Sequence, residues 1–229
     1  MTELSSLSQW LHHLENQHHN AIDMGLARVQ AVAQVADLLT LDCPVITVGG
    51  TNGKGSTVAT LTAIYCAANY KVGTYTSPHI IDFNERIAIN NQPVSDELLI
   101  NAFNAVEAAR AITNISLTYF EFTTLAAFWI FKQAKLDIAV LEVGLGGRLD
   151  AVNIIDADVA VVTSIGLDHT DWLGDTREAI RFERREWTRR IERNGDGSAP
   201  SGVTQAFWET EVDGAQVVAQ VAEGVGLVL

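Results

Sequence analysis

Val45-Ile46-Thr47-Val48-Gly49-Gly50-Thr51-Asn52-Gly53-Lys54-Gly55-Ser56-Thr57 is the stretch whose reading decides the fold. Four apolar or β-branched residues end on a glycine pair, as in a short strand buried on both faces. The glycines let backbone N–H groups converge on phosphate oxygens, and a helix beginning just after them adds its dipole. Lys54 can then reach the β- and γ-phosphates, while the Ser56 hydroxyl can ligate Mg²⁺. The spacing departs from the common phosphate-loop form: Val48 stands where its first glycine belongs, and Gly55 separates Lys54 from the hydroxyl. A strand, a phosphate loop and a helix in that order predict a nucleotide-binding α/β domain.

Outward from this loop the same grammar repeats. Helices are expected over 4–16, 26–39, 56–69, 95–110 and 120–133, from apolar spacing and a Ser95 N-cap. Strands are expected over 72–76, 85–94, 137–143 and 158–164, with Asn90-Asn91 as a turn. Two of them, DIAVLEV and DVAVVTS, are continuous apolar runs of the kind found in central parallel strands. The expectation is an α/β fold with a P-loop NTPase-like, doubly wound, mostly parallel sheet. Beyond residue 181 the composition shifts to an arginine-dense block, then to a Gly/Ser/Pro segment, and 195–229 carries only weak periodicity.

The 229 residues are 48% hydrophobic and 19% charged, which fits a folded globular chain. A formal net charge of -13 argues against a nucleic-acid partner. No apolar run is long enough for a membrane span and no secretory leader is evident, so a cytoplasmic protein is expected. Cys43 and Cys66 then read as free thiols. His12, His13, His18 and His19 come as adjacent pairs that point apart on a helix, and read as a solvated helix end rather than a metal site.

In open α/β sheets ligands bind beyond the carboxyl ends of the strands. Ser77, Glu142 and His169 all follow or end predicted strands, so Lys54, Ser56, Ser77, Glu142 and His169 can share one rim. Ser56, Ser77 and Glu142 offer the oxygen ligands Mg²⁺ prefers, and His169 suits a second metal or the transferring phosphate. An unpaired carboxylate in an apolar strand is costly, which favours a functional reading of Glu142. Taken in isolation, Ser77 before Pro78 reads rather as a turn residue. The stretch Gly144-Leu145-Gly146-Gly147-Arg148-Leu149-Asp150 is either a tight βα connection or a means of placing Arg148 and Asp150 against substrate.

GTNGKGS, TSPH (77–79 with Thr76), LEVGLGGRLDA (141–151), LDHTDWLG (167–174), DMGLARV (23–29) and LTYFEFTT (117–124) together resemble the folylpolyglutamate synthase/dihydrofolate synthase family of the Mur ligase superfamily. The resemblance spans roughly residues 1–180 and implies an incomplete sheet of the Mur ligase central-domain type. It implies an ATP-dependent ligase in which a pterin-linked carboxylate is phosphorylated and L-glutamate then attacks the acyl phosphate. Dihydropteroate, folates, L-glutamate, ATP and Mg²⁺ would be its small-molecule partners, with no nucleic acid and no membrane, and a monomer is expected.

Carried over by motif, Thr51, Asn52, Gly53, Lys54, Gly55 and Ser56 would bind ATP, with Lys54 and His169 in catalytic roles. Ser56, Ser77, Glu142 and His169 would hold Mg²⁺. Asp23, Met24 and Gly25, Thr118, Tyr119, Phe120 and Glu121, and Leu149, Asp150 and Ala151 would line the pterin pocket. Phe120 and Phe122 both suit stacking on a flat ring, or the core. Where the family continues into a lysine that is carbamylated, this sequence reads Glu183-Arg184-Arg185-Glu186, and a guanidinium cannot form a carbamate. A glutamate-ligase domain would follow in the family; here 181–229 reads as an atypical tail, consistent with a shifted reading frame. A non-catalytic nucleotide- or pterin-binding module is the alternative, and a P-loop kinase or GTPase leaves GLGGRLDA unexplained.

Overall fold

The computed structural model describes residues 4–20 and 22–164 throughout, and the backbone of 203–212 and 215–222. Among the described residues five helices, α1 (Leu7–Asn16), α2 (Ala27–Ala36), α3 (Lys54–Ala67), α4 (Asp96–Thr113) and α5 (Tyr119–Ala134), surround one sheet. Its strands are β1 (Val45–Gly49), β2 (Val72–Tyr75), β3 (Ile87–Ile89), β4 (Gln92–Pro93), β5 (Ile138–Glu142), β6 (Val159–Val162), β7 (Val203–Val212) and β8 (Ala215–Ala222). They lie in the order β4-β3-β2-β5-β1-β6-β8-β7. The centre, β2-β5-β1-β6, is parallel, and antiparallel pairs flank it on both sides.

Side chains alternate across the central strands, and this divides the core. Ile46, Val48, Ile138 and Val140 face α3 in a small cluster with Val58 and Val72. Val45, Ala139, Leu141 and Tyr75 face the other way, into a larger core closed by α1, α2, α4 and α5. Helices on both faces explain why β1 and β5 are apolar throughout rather than alternating.

Local chemistry sets the element ends. α1 begins later than the apolar spacing suggested because Ser6 accepts the N–H of Gln9 while the Gln9 side chain returns the bond, a reciprocal cap. α3 begins earlier, at Lys54, because Gly53 takes φ 82 and caps it without a side chain. Thr118 and Glu121 form the same reciprocal cap at α5. Asn90 and Asn91 both take positive φ, 51 and 62, and join β3 to β4 as a tight hairpin.

One expectation changes in the tail. Residues 195–229 carry no clear period, yet 203–222 holds a hairpin whose second strand pairs antiparallel with β6, Val159 opposite Val221. Its Val, Thr, Phe and Trp content suits a strand, but apolar and polar residues do not alternate cleanly. The edge of β6 away from β1 is therefore paired. The linker reading of the Gly/Ser/Pro segment falls on 194–202, outside the described residues.

Candidate functional site

The loop between β1 and α3 is tied to the end of β6. Thr51 donates its N–H to the Ser164 carbonyl at 2.9 Å, and Asn52 donates to Ser164 Oγ at 2.9 Å. Thr163 Oγ1 donates to the Asn52 carbonyl at 2.6 Å. Gly50 makes this fit: its φ is +146, and a Cβ there would lie 1.9 Å from Thr163 Oγ1. Lys54 folds back over the loop, Nζ donating to the Gly50 carbonyl at 3.0 Å and more distantly to that of Thr51 at 3.4 Å. Because Gly53 caps α3 with no side chain, the first-turn N–H groups of α3 face an incoming anion.

Glu142 closes β5 beside this loop, only 5% exposed. Its Oε2 accepts the backbone N–H of Ser77 at 3.2 Å, and a Cβ on Gly55 would sit 3.9 Å from the same oxygen. Three adjacent parallel strands thus deliver Lys54, Ser77 and Glu142 to one rim, as the strand-end rule anticipated. Burial pushes the Glu142 carboxyl above the ordinary carboxylate range, against the pull of the Ser77 N–H and the Lys54 charge. Ser56 stands in the first turn of α3, exposed. His169 and the Glu183–Glu186 stretch lie outside the described residues.

Next to this rim is a cleft of about 350 Å³. Asp23, Met24 and Gly25 form one wall, Thr118, Tyr119, Phe120 and Glu121 another, and Leu149, Asp150 and Ala151 a third. Ser77, Pro78 and Arg86 complete it on the side of the phosphate loop. All ten residues singled out for a pterin therefore line one cavity. The two aromatics of FEF part company: Phe120 lines the cleft, its ring 5.9 Å from that of Tyr75, while Phe122 is fully buried against Trp10 and Phe103. Gly144 permits the Phe120 placement, since a Cβ there would approach the ring to 2.5 Å.

Asp150 shapes the third wall from within. Its Oδ2 accepts the N–H of Leu145 at 2.8 Å and its Oδ1 that of Val152 at 3.0 Å. Complete burial raises its carboxyl to about 7, with those N–H groups, that of Gly144 and Lys54 pulling it down.

Residues 48–203 match the model of the Mur ligase middle domain. The chain belongs to the Mur ligase family. Among curated relatives, the dihydrofolate synthase/folylpolyglutamate synthase of Escherichia coli strain K12 is 55% identical over 180 residues, 79% of this chain and 42% of its own length. The protein of the same description from Haemophilus influenzae is 53% identical, over 79% of this chain and 40% of its own. The chain thus spans about two-fifths of the length of these relatives. Among solved structures, E. coli FolC in complex with DHPP and ADP superposes with a TM-score of 0.78 at 52% identity, covering 85% of this chain and 45% of that one. The bifunctional folylpolyglutamate synthase/dihydrofolate synthase of Yersinia pestis, complexed with AMPPNP and Mn ion, gives 0.76 at 51%, covering 85% and 46%.

Within this family fold, three groups that the sequence did not single out as a set organise the cleft. Arg28 on α2 reaches Asp23 Oδ2 at 2.9 Å and Glu121 Oε1 at 3.0 Å, joining two walls. His18, expected on a solvated helix end, instead bridges Asp23 Oδ2 at 3.3 Å and Ser116 Oγ at 2.9 Å. It lies beyond the end of α1, so helix geometry does not turn its ring away from the cleft. Arg86, at the end of a 3₁₀ turn (Phe83–Arg86), stacks on aromatic rings at the cleft mouth. No periodic signal marks any of them, because each acts through contacts distant in sequence. Cys43 and Cys66 are free, as expected, but only half-buried.

Proposed function

We propose that this chain carries the ATP- and pterin-binding half of an ATP-dependent acid–amino-acid ligase, joining L-glutamate to dihydropteroate and to folates. The observation that carries the reading is the single cleft formed by all ten pterin-pocket residues, opening beside the Lys54–Ser77–Glu142 rim. A flat bicyclic ring suits a cavity walled by Phe120 and Tyr119, with Asp23 and Asp150 carboxyl groups for its edge. The acid end of such a substrate would then point toward the phosphate loop.

The chemistry follows from that juxtaposition. A carboxylate oxygen of dihydropteroate attacks the γ-phosphorus of ATP, the bond to the β-phosphate oxygen breaks, and ADP leaves. The amine of L-glutamate, having lost a proton, attacks the acyl carbon; the C–O bond to phosphate breaks and an amide results. Thr51, Asn52, Gly53, Gly55 and Ser56 would hold the nucleotide, and Lys54 would leave its loop carbonyls for the phosphates. Ser56, Ser77 and Glu142 supply oxygen ligands suited to Mg²⁺, and the buried Glu142 carboxylate fits a cation near it better than it fits its present apolar strand. Mg²⁺ would neutralise charge on the transferring phosphoryl group. His169 is assigned to a second Mg²⁺ on the motif alone.

Similarity to E. coli FolC, solved with DHPP and ADP, and to the Y. pestis enzyme, solved with AMPPNP and Mn, supports this assignment. The binding half is placed in residues 1–180, with 181–229 outside it, and the protein is placed in the cytoplasm as a monomer. Among the described residues no helix is long and apolar enough to cross a membrane. The test is ADP release with Mg-ATP, dihydropteroate and L-glutamate, beside Lys54→Ala. Substrate-dependent ADP above that control is expected; binding of ATP and dihydropteroate without turnover would leave a binding module, and binding of neither would overturn the reading.

A further inference from the structure

Arg86 stands at the seam between the cleft and the phosphate rim. Its carbonyl accepts the N–H of Thr76 at 2.9 Å, which places it across from the residue preceding Ser77. The guanidinium is held on three sides. Its carbon lies 5.6 Å from the centroid of the Phe83 ring and 5.5 Å from that of Tyr119. Its Nε donates to His79 Nδ1 at 2.9 Å.

These contacts use the faces of the guanidinium and one of its five donors. Among the described residues the two terminal nitrogens make no hydrogen bond to protein. Among the described residues no carboxylate pairs with its charge either. The carboxylates lining the cleft have protein partners other than Arg86: Asp23 and Glu121 pair with Arg28, and Asp150 accepts backbone N–H groups. Among the described residues lining the cleft, Arg86 is the one Lys or Arg. Stacking on the two rings leaves four N–H groups unused among the described residues, so an arginine kept here only for packing would be poorly matched to its surroundings. A planar fork on a residue that lines the cleft, its terminal nitrogens without a protein partner among the described residues, is suited to receive a carboxylate.

We propose that Arg86 binds the reacting carboxylate of the arene acid and is the residue that selects an anionic substrate over a neutral one of the same shape. The proposal rests on the pterin-pocket reading above and deepens it. The aromatic clamp fixes the guanidinium beforehand, so little rotamer freedom is lost when substrate arrives. The carboxylate is held between Arg86 and the Ser77 end of β2, one residue from the rim that faces the γ-phosphate. As negative charge passes from that carboxylate to the acyl phosphate, the guanidinium stays paired with it.

The test compares two ligands and three proteins. Affinities of the full 229-residue chain for 7,8-dihydropteroate and for its carboxamide are measured by calorimetry, beside Arg86→Gln and Arg86→Lys. A fluorescent ATP analogue reports that each protein is folded. The unaltered chain is expected to prefer the acid by about tenfold or more, the scale of a charge-assisted hydrogen bond. Arg86→Gln should bring the ratio close to one through loss of acid affinity, with carboxamide binding little changed. Arg86→Lys should keep part of the preference, having charge without the fork. A ratio near one in the unaltered chain, or a full preference surviving in Arg86→Gln, overturns the proposal while leaving the pterin pocket standing. A chain that binds the ATP analogue but neither pterin compound overturns the pocket reading itself, and this proposal with it.

Discussion

The Ser77 backbone N–H donates to Glu142 Oε2 across 3.2 Å, linking the ends of two adjacent parallel strands at the place where a nucleotide-bound cation would sit. Glu142→Gln keeps an oxygen for that bond while it removes the charge and turns the other oxygen into an NH2 donor. Since burial already disfavours the charged form, the folded chain should lose no stability at neutral pH. Binding should suffer instead. Affinity for Mn-ATP is expected to drop at least about tenfold, a loss that even outer-shell partners of a metal produce. Thermal unfolding with and without Mn-ATP measures it, because a ligand that binds only the folded state raises its midpoint. An equal rise in both proteins would remove Glu142 from the metal site.

Gly50 and Thr163 make a second, steric prediction. Gly50→Ala places a methyl 1.9 Å from Thr163 Oγ1, at a φ of +146 that L side chains rarely adopt. Strain and overpacking together should cost about 2–4 kcal/mol and displace the nucleotide loop. Thr163→Ala in the same chain removes the clashing oxygen but not the φ penalty, and it also removes the donor to the Asn52 carbonyl. Rescue should therefore be partial, read as urea midpoint and nucleotide affinity. Full rescue would mean that the clash alone matters.

These two positions show what the sequence made legible. GGTNGKGS and the apolar runs of β1, β5 and β6 gave the sheet, because doubly buried strands need no alternation and a glycine pair after one has few other uses. Glu142 stood out as a charge in an apolar strand. The walls of the cleft came from motif resemblance rather than from periodicity, since 23–25, 118–121 and 149–151 are far apart in the chain. Arg86, Arg28 and His18 were invisible because their roles depend on side chains packed against them from other elements. Phe120 and Phe122 could not be separated by composition; the helical turn of α5 separates them, sending one to the cleft and the other to the core.

Arg28 offers a test of how the cleft walls hold together. It pairs with Asp23 and with Glu121, whose side chain is 5% exposed, so Arg28→Met leaves a buried carboxylate with the Thr118 N–H but without its cation. The expected cost is about 3 kcal/mol, at the low end for a broken buried pair because Arg28 itself keeps some solvent contact. Glu121→Gln in the Arg28→Met background should recover part of that cost, so the two changes will be less than additive. A double-mutant cycle by urea unfolding measures the coupling. Strict additivity would show that the ion pair contributes nothing beyond its separate halves.

The last prediction concerns pH. Asp150 is fully buried, and its carboxyl rises from 3.8 to about 7 in the folded chain. A raised acid binds its proton more tightly when folded than when unfolded, so the sign is opposite to that of a salt-bridged aspartate. Its contribution favours the fold fully below pH 3.8, declines as the pH climbs toward about 7, and is then constant. Within that window the slope approaches about 1.4 kcal/mol per pH unit for one proton. Other groups titrate too, so the readout is the stability difference between the unaltered chain and Asp150→Asn, by urea unfolding at about pH 5 and about pH 8. The amide cannot titrate, and it also puts a donor against the N–H of Leu145 or Val152, so it should be less stable at both values. Its deficit should be larger near pH 5 and shrink near pH 8, where the unaltered chain carries the cost of a buried charge. An equal deficit at both pH values would mean that Asp150 is ionised throughout, held so by the backbone N–H groups that clasp it.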